Sequence, residues 1–174
     1  LLQDNGVTIT DYSPQTQSSF DITTYEDTGI VIAWFEKQST GDFQPYAQAI
    51  DFNGNRLWGE NGVALSFLHA VTELETIFTS TLNNEYYFGW TEYRYEISYA
   101  KSIYGNKVDS NGNILWGDDG LLISNTDTDN FITDLVGSYY VWYKNMGNQD
   151  LDIFARLLNP DGTSANGWSD TGNS

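Results

Sequence analysis

The sequence predicts an all-β protein assembled from about three copies of one four-stranded repeat. The first observation is a signature of Asp or Asn, then Gly three positions on, then Trp, which recurs along the chain. Its copies are Asp51, Gly54 and Trp58; Asp109, Gly112 and Trp116; and Asn159, Gly162 and Trp168. Self-similarity at a period of about 50 residues marks a repeat architecture. The second observation is that segments rich in Val, Ile, Tyr, Phe and Thr alternate with clusters of Gly, Asn, Asp and Ser, which is typical of strands and turns.

Each period contains the same elements in the same order. An aromatic-rich run containing Trp occupies 31–35, 86–90 and 139–143, and a run beginning with an aromatic residue occupies 46–51, 104–109 and 154–159. Asn-Gly or Asp-Gly follows, and this pair favours a tight turn because it accepts positive φ. In the first period we expect strands at 20–25, 30–36, 45–51 and 56–58 with 63–66. Four strands per repeat of this length are typical of β-propeller blades, which is the fold class that we predict.

The repeat frame also predicts the domain organisation. Residues 1–17 match the end of a preceding blade, 18–66 and 67–124 match blades, and 125–174 match a blade that is incomplete at its end. Residues 68–78 show some helical apolar spacing, but their β-branched residues favour a loop followed by a strand. Because propellers usually close with at least four blades, we expect the chain to be part of a longer protein. A small open or self-closed β-structure and a ring completed by several copies are the alternatives.

Composition narrows the range of partners. The 174 residues include 24 Asp and Glu against 7 Lys and Arg, giving a formal net charge of −17. Nucleic acid and anionic membranes bind to basic patches, which this composition disfavours. The chain contains no Cys, so it forms neither a disulfide nor a thiolate metal site. No apolar run reaches the length that spans a bilayer, so we expect no membrane insertion.

The recurring signature reads as a clasp between neighbouring blades. The Asp or Asn side chain can accept hydrogen bonds from backbone N–H groups of the turn, and the Gly supplies the positive φ. The Trp can fill the gap between two sheets while its indole N–H finds a carbonyl. In the third copy the first residue is Asn159, and Trp168 arrives two residues late. The alternative is that the tryptophans line a sugar-binding surface.

The same layout resembles the propeller repeats of large secreted proteins in bacteria with the type IX secretion system. The stretch 152–162 is the most similar one, and the frame is also similar, more loosely, to the tryptophan-docking repeats of quinoprotein-like propellers. The resemblance covers almost the whole chain, but scaffold residues carry it. It implies an extracellular or cell-surface module, commonly without known catalysis.

Candidate metal sites are few. Residues 51–55 and 109–113 place oxygen-bearing side chains at alternate positions, as at the start of an EF-hand loop. The Gly stands at the fourth position rather than the sixth, and neither copy has a Glu at the twelfth. Turn formation explains these residues without an ion, and the acidic stretches 126–130 and 150–152 read as solvated turns. We therefore expect no cofactor, with calcium as the one candidate ion.

Candidate catalytic residues are equally sparse. His69 is the only His, and no nucleophile motif such as Gly-x-Ser-x-Gly accompanies it. Asp21, Glu75 and Asp134 fall in or near the first strand of each period, where they could supply a carboxylate pair for glycoside hydrolysis. A complete ring would be needed to bring them around one pocket. We therefore predict no catalytic residue in this chain.

A longer loop in the second period is the strongest candidate for ligand contact. It contains Tyr93, Arg94, Tyr95 and Tyr99, and the other periods lack it. An insertion in one repeat often maps to a binding face, and Tyr and Arg are enriched at binding hot spots. The alternative is a tyrosine-rich hairpin that covers a blade edge.

These observations favour a non-catalytic scaffold or adhesion module of a secreted or cell-surface protein. We expect its partners to be other parts of the same larger protein or of a surface complex, with polysaccharide as a further ligand. The alternative is the partial propeller domain of a carbohydrate-active enzyme, either a glycoside hydrolase or a lyase.

Overall fold

The described part of the chain forms β-strands and turns. The structure is a computed structural model and describes residues 6–11, 16–67, 76–94, 100–124, 128–147 and 150–173. These residues form β1 (Gln17–Tyr25), β2 (Gly29–Lys37), β3 (Phe43–Asp51), β4 (Val63–Ala64), β5 (Ile77–Leu82), β6 (Glu85–Glu92), β7 (Ser102–Val108), β8 (Leu121–Ser124), β9 (Asn130–Val136), β10 (Tyr139–Gly147) and β11 (Asp150–Leu157). Over the same residues, no helix is long and apolar enough to cross a membrane.

The strands form three antiparallel sheets, one for each period of the sequence. Sheet A has the order β1-β2-β3-β4, sheet B has β5-β6-β7-β8, and sheet C has β11-β10-β9. In sheet C the place of a fourth strand is marked by a single bridge between Ala155 and Asn173. The all-β prediction is thus confirmed, as are four antiparallel strands in the first two periods.

The predicted strands of the first period lie within or beside the observed ones. The segment expected at 56–58 forms only one bridge, between Ile50 and Arg56, and the matching bridges join Val108 to Ile114 and Leu158 to Ser164. Of the segment 68–78, only residues 76–78 are described, and Ile77 begins β5. The three bridges recur at one position of the repeat, so each turn closes in the same way.

The amino-terminal residues 6–11 run beside sheet A. Arg56 Nε donates to the Thr8 carbonyl at 2.9 Å, and its Nη2 contacts Asp11 at 2.7 Å. Ile9 packs against Ile32 and Trp34. This position is compatible with the predicted end of a preceding repeat, although β1 already begins at Gln17.

The core lies between the sheets. One cluster joins Val31, Ala33 and Phe35 of sheet A to residues of sheet B that include Phe88 and Trp90. A second cluster joins sheets B and C, through residues such as Tyr87, Ile103, Ile132, Tyr140 and Trp142. The first strands are also neighbours, because β1 contacts β5 and β5 contacts β9. We call the two interfaces seam A–B and seam B–C.

Candidate functional site

The turns of the first two signatures are closed by their own carboxylates. Asp51 Oδ1 accepts the Asn53 and Asn55 N–H groups at 2.9 and 2.8 Å, and Oδ2 accepts Asn55 Nδ2 at 2.8 Å. Asp109 makes the same three contacts in the second turn. The hydrogen bond from the Asn55 side chain, with those from the backbone, lowers the pKa of Asp51. These carboxylates therefore serve the turn, as an Asx-turn does.

The third turn reaches the same shape with different groups. Asn159 Nδ2 donates to Thr163 Oγ1 at 3.0 Å and to the Ser164 carbonyl at 3.1 Å. Asp161 accepts the Thr163 N–H and hydroxyl, and these hydrogen bonds lower its pKa. Gly54, Gly112 and Gly162 all have φ between 84° and 88°. The left-handed conformation is thus common to the three turns, while the side chains that hold it differ.

Trp58 links sheet A to sheet B. Its Nε1 donates to the Ser110 carbonyl in the turn of sheet B at 3.2 Å, and the Tyr25 hydroxyl donates to the same oxygen at 3.0 Å. The Trp58 ring meets Tyr86 edge-on at 5.5 Å. A Cβ atom on Gly112 would lie 3.0 Å from Cγ of this ring, so the turn glycine also leaves room for the indole.

Trp116 takes the same position between sheets B and C. Its Nε1 donates to the Pro160 carbonyl at 3.1 Å, and Lys107 Nζ donates to that oxygen at 2.7 Å. The Trp116 ring lies edge-on to Tyr87 at 5.7 Å, and Gly162 lies beside it. Two of the three signature tryptophans therefore contact the turn of the following sheet.

Trp168 packs on its own sheet. Its ring lies edge-on to Tyr139 at 5.9 Å, which repeats the contact between Trp116 and Tyr87. The two additional residues before Trp168 therefore do not move the indole away from its place in the repeat. The described residues contain no further sheet beyond it.

One buried polar position in each period is occupied by residues that the sequence pattern does not single out. Gln48 Oε1 accepts the Trp58 N–H at 2.9 Å, and Asn106 Oδ1 accepts the Trp116 N–H at 3.2 Å. In the third period Arg156 stands at this position. Each of the three follows by two residues the aromatic residue that opens the second run, and a polar residue at an inward position of a strand is a signal for such a role.

The same position also ties neighbouring sheets together. Asn106 Nδ2 donates to the Leu65 carbonyl of sheet A at 2.8 Å, and Arg156 Nη1 donates to the Ile123 carbonyl of sheet B at 2.6 Å. Burial lowers the pKa of Arg156, while Asp170 at 3.1 Å opposes that shift. The seams therefore have a second polar contact besides the tryptophans.

Arg94 lies in the interior, which differs from the exposed position expected in a contact loop. It pairs with the fully buried Glu92, which also accepts Trp90 Nε1. Its guanidinium lies 3.6 Å from the centre of the Tyr104 ring and donates to the Asp119 carbonyl at 2.7 Å. The physical reason is strand alternation, which places Glu92 and Arg94 on the same face as Trp90.

The remaining residues of the predicted contact loop are only partly described. Tyr93 is half-buried, while Tyr95 and Tyr99 lie outside the described residues. Their role in ligand contact therefore stays a prediction that rests on the insertion and on the residue types. His69 and Glu75, and residues 126 and 127 of one acidic stretch, also lie outside the described ranges.

The two described first-strand carboxylates serve the backbone. Asp21 Oδ2 accepts the Thr79 N–H of sheet B at 2.8 Å, and Asp134 Oδ1 accepts the Leu135 N–H at 2.8 Å. Within the described ranges, no three His, Cys, Asp or Glu side chains lie together as a metal site would require. Asp21 is therefore a seam contact.

A polar groove and an apolar groove lie on the surface of the described residues. The polar groove, of about 580 Å³, lies between the tips of the β1–β2 and β5–β6 hairpins and is lined by residues that include Glu26, Asp27, Asn83 and Asn84. The apolar groove, of about 250 Å³, lies on the outer side of sheet A and is lined by Phe20, Ile22, Ile32, Trp34 and their neighbours. The first can hydrogen-bond a hydroxyl-rich ligand, and the second can bury apolar side chains.

Comparison with known proteins does not assign the chain to a family. No protein-family model matches the chain, and no curated protein matches it significantly.

Proposed function

We propose that the chain is a non-catalytic scaffold or adhesion segment of a secreted or cell-surface protein, with its three sheets arranged as propeller blades. The observation that carries this proposal is that the repeated residues make contacts between sheets and within turns. Trp58 and Trp116 each donate to the turn carbonyl of the next sheet, while Asp51 and Asp109 close their own turns. Because these repeated residues serve packing and turn formation, we do not assign them a catalytic role.

The arrangement of the sheets supports the blade reading. The first strands of successive sheets are in contact, as the innermost strands of neighbouring blades would be. Each four-stranded sheet runs from its first strand to its last without a crossover. Low-resolution solution scattering on the protein tests this arrangement. A profile with all three sheets packed in one wedge agrees with it, and a profile of sheets extended in a line contradicts it.

Polysaccharide is the ligand class that the polar groove favours. Its lining combines the carboxylates of Glu26 and Asp27 with the side-chain amides of Asn83 and Asn84. Such groups donate to and accept from sugar hydroxyls, and the net charge of −17 favours neutral or cationic glycans over acidic ones. Tyr93, Tyr95 and Tyr99 supply the other proposed ligand surface.

A glycan array compares these two surfaces directly. The variants are Asp27→Ala for the groove and Tyr95→Ala for the loop, with Phe52→Ser in the turn of sheet A as a matched surface control. Loss of a glycan signal in one variant, with the control unchanged, assigns that surface. Equal binding by all four proteins removes both surfaces from consideration, and no binding by any of them contradicts polysaccharide as the ligand.

Localisation is tested separately. Antibodies against the chain, applied to intact cells of the organism that produces it, should label the surface or detect the protein in the medium. Labelling only after cell lysis would contradict the extracellular assignment.

A further inference from the structure

Each internal seam joins two different faces of the repeat. In seam A–B, sheet A presents Val31, Ala33 and Phe35, and sheet B presents Phe88 and Trp90. We call the first kind of surface the leading face, because it points to the next sheet, and the second kind the trailing face. Seam B–C again joins a leading face of sheet B to a trailing face of sheet C.

The trailing face of sheet A is open to solvent along β1 in the described structure, whereas Ile32 and Trp34 of β2 are buried and contact Ile9. Phe20 lies opposite Trp34 in the sheet, as Ile77 lies opposite Trp90 in sheet B. Ile77 is only 3% exposed because sheet A covers it, whereas Phe20 is 77% exposed. The apolar groove lies on this face. The same position of the repeat is thus covered inside the molecule and open at its end.

The leading face of sheet C is open in the same way. Ile153 lies opposite Tyr143, as Ile103 lies opposite Thr91 in sheet B. Ile103 is fully buried in seam B–C, whereas Ile153 is 70% exposed. Val136 and Tyr139 extend this exposed apolar surface.

A polar contact of seam A–B has its counterpart on these open faces. Asp21 lies opposite the residue before Trp34, and Asp134 lies opposite the residue before Trp142. Asp21 accepts the backbone N–H of Thr79, and the residue of sheet A at the position of Thr79 is Ile22. If the leading face of sheet C packs on the trailing face of sheet A, Asp134 therefore takes the place of Asp21 and the Ile22 N–H takes the place of the Thr79 N–H.

We propose that the leading face of sheet C binds the trailing face of sheet A in a second copy of this chain. The two internal seams show the chemistry of such a contact, and the end faces place apolar side chains at the corresponding positions, with Asp134 and Ile153 matching Asp21 and Ile103. Because the two faces differ, the contact is heterologous and joins copies head to tail. Two copies supply six sheets, which lies within the range of four to eight blades that close a ring. The closed ring rests on the blade arrangement proposed above, whereas the pairing of the faces rests on the observed seams alone.

Charge sets the conditions under which the copies associate. Each copy has a formal net charge of −17, so two copies repel each other at low ionic strength. The exposed side chains of Phe20 and Ile22 on the trailing face of sheet A are apolar, so salt screens the repulsion without weakening their contact. Association is therefore expected to strengthen between 50 mM and 500 mM NaCl, which is opposite to the behaviour of an interface built on ion pairs.

Two variants and their mixture test the proposal. Phe20→Asp disables the trailing face, and Ile153→Asp disables the leading face. Phe52→Asp, a turn residue that is 71% exposed, is the matched control. Analytical ultracentrifugation at 500 mM NaCl should give a dimer for the wild type and the control, and a monomer for each face variant. An equimolar mixture of the two face variants should restore a dimer, because each still carries one working face.

Three outcomes overturn the proposal. A monomeric wild type at about 100 μM would leave both faces to other occupants, such as adjoining repeats of a longer chain. A dimer that survives one of the two face substitutions would point to a symmetric contact between like faces. Two monomeric variants that do not associate on mixing would exclude pairing of unlike faces. Circular dichroism of each variant separates these outcomes from misfolding, and glycan binding is measured independently of them.

Discussion

Seams A–B and B–C use one backbone carbonyl in the same way but with different second donors. Ser110 and Pro160 stand at the same position of the repeat, and each accepts the indole N–H of the preceding Trp. At Ser110 the second donor is the neutral hydroxyl of Tyr25, whereas at Pro160 it is the ammonium group of Lys107. The backbone acceptor and the indole are therefore the constant part of the seam, and the second donor is free to vary.

The two seams also differ in how deeply their tryptophans are buried. Trp58 is almost fully buried beside Tyr25 and Tyr86, whereas Trp116 is half-buried. Lys107 compensates in seam B–C, because it also pairs with Glu85 at 3.0 Å. The two seams thus combine apolar burial and charge in different proportions, and variants of the corresponding residues can separate these contributions.

The largest expected effect comes from Trp58→Ala. Loss of this indole should lower the free energy of unfolding by about 3–5 kcal/mol, because a large buried aromatic is replaced by a cavity. Trp116→Ala should cost clearly less, since that ring is half-exposed. Urea unfolding of both variants checks the comparison. Equal losses would mean that the seams do not differ in apolar burial.

Lys107→Met should come next. It removes a charged donor from the Pro160 carbonyl and from Glu85, and hydrogen bonds to charged groups contribute about 1.5–3 kcal/mol. The loss should shrink at high salt, since part of it is an ion pair with the half-exposed Glu85. Lys37→Met, at an exposed strand end, is the matched control. A salt-independent loss would assign the effect to packing instead.

Tyr25→Phe should have a smaller effect in seam A–B. It removes one neutral donor from the Ser110 carbonyl, which keeps its hydrogen bond from Trp58, so a loss of about 0.5–1.5 kcal/mol is expected. Tyr25→Leu should cost more because it also removes the ring stacked on Tyr86 at 5.4 Å. If both variants unfold at the same urea concentration, stacking contributes nothing to this seam.

The smallest expected effect is that of pH on the free energy of unfolding through the seam tyrosines, which stay protonated near neutral pH. Burial raises the pKa of Tyr86 to about 12 and raises the pKa of the fully buried Tyr140 well above its usual value. The folded state therefore holds these protons more tightly than the unfolded state does. Stability should be unaffected below the unfolded value of about 10 and should fall as pH rises above it.

Absorbance at 295 nm during an alkaline titration checks this prediction. Tyr140 in seam B–C is fully buried, and its hydroxyl donates to the Phe88 carbonyl at 2.9 Å. Tyr140→Phe should therefore leave the absorbance change near a pH of about 10 intact and reduce the change at higher pH. A loss of absorbance change near the ordinary tyrosine pKa would contradict the raised pKa of Tyr140.

The parts of this fold that depend on local chemistry can be predicted from the sequence. Strand alternation and the Asn-Gly and Asp-Gly turns were readable because each is decided within a few residues. The position shared by Gln48, Asn106 and Arg156 was not readable from residue identity, since three different side chains occupy it. The second donors Tyr25 and Lys107 were also missed, because their acceptor lies 85 or 53 residues away on another sheet.

The misplacement of Arg94 has a different cause. The Tyr-rich segment with its Arg predicts a surface loop, but Arg94, two residues past the end of β6, lies on the same side as Glu92 and Trp90 and pairs with Glu92. The spacing of two residues between opposite charges was the available signal that the pair shares that face.

The carbonyls of Leu65 and Ile123 have a consequence for how the chain folds. Each follows or belongs to the last strand of one sheet, yet each accepts a hydrogen bond from the side chain of the next sheet. When one repeat melts, Asn106 or Arg156 in the next repeat therefore loses the hydrogen-bond partner on the neighbouring sheet and keeps only the partners within its own sheet. Coupling of this kind between neighbours makes unfolding cooperative along a repeat array. Cutting the chain between sheets would release one repeat and also weaken the repeat that follows it.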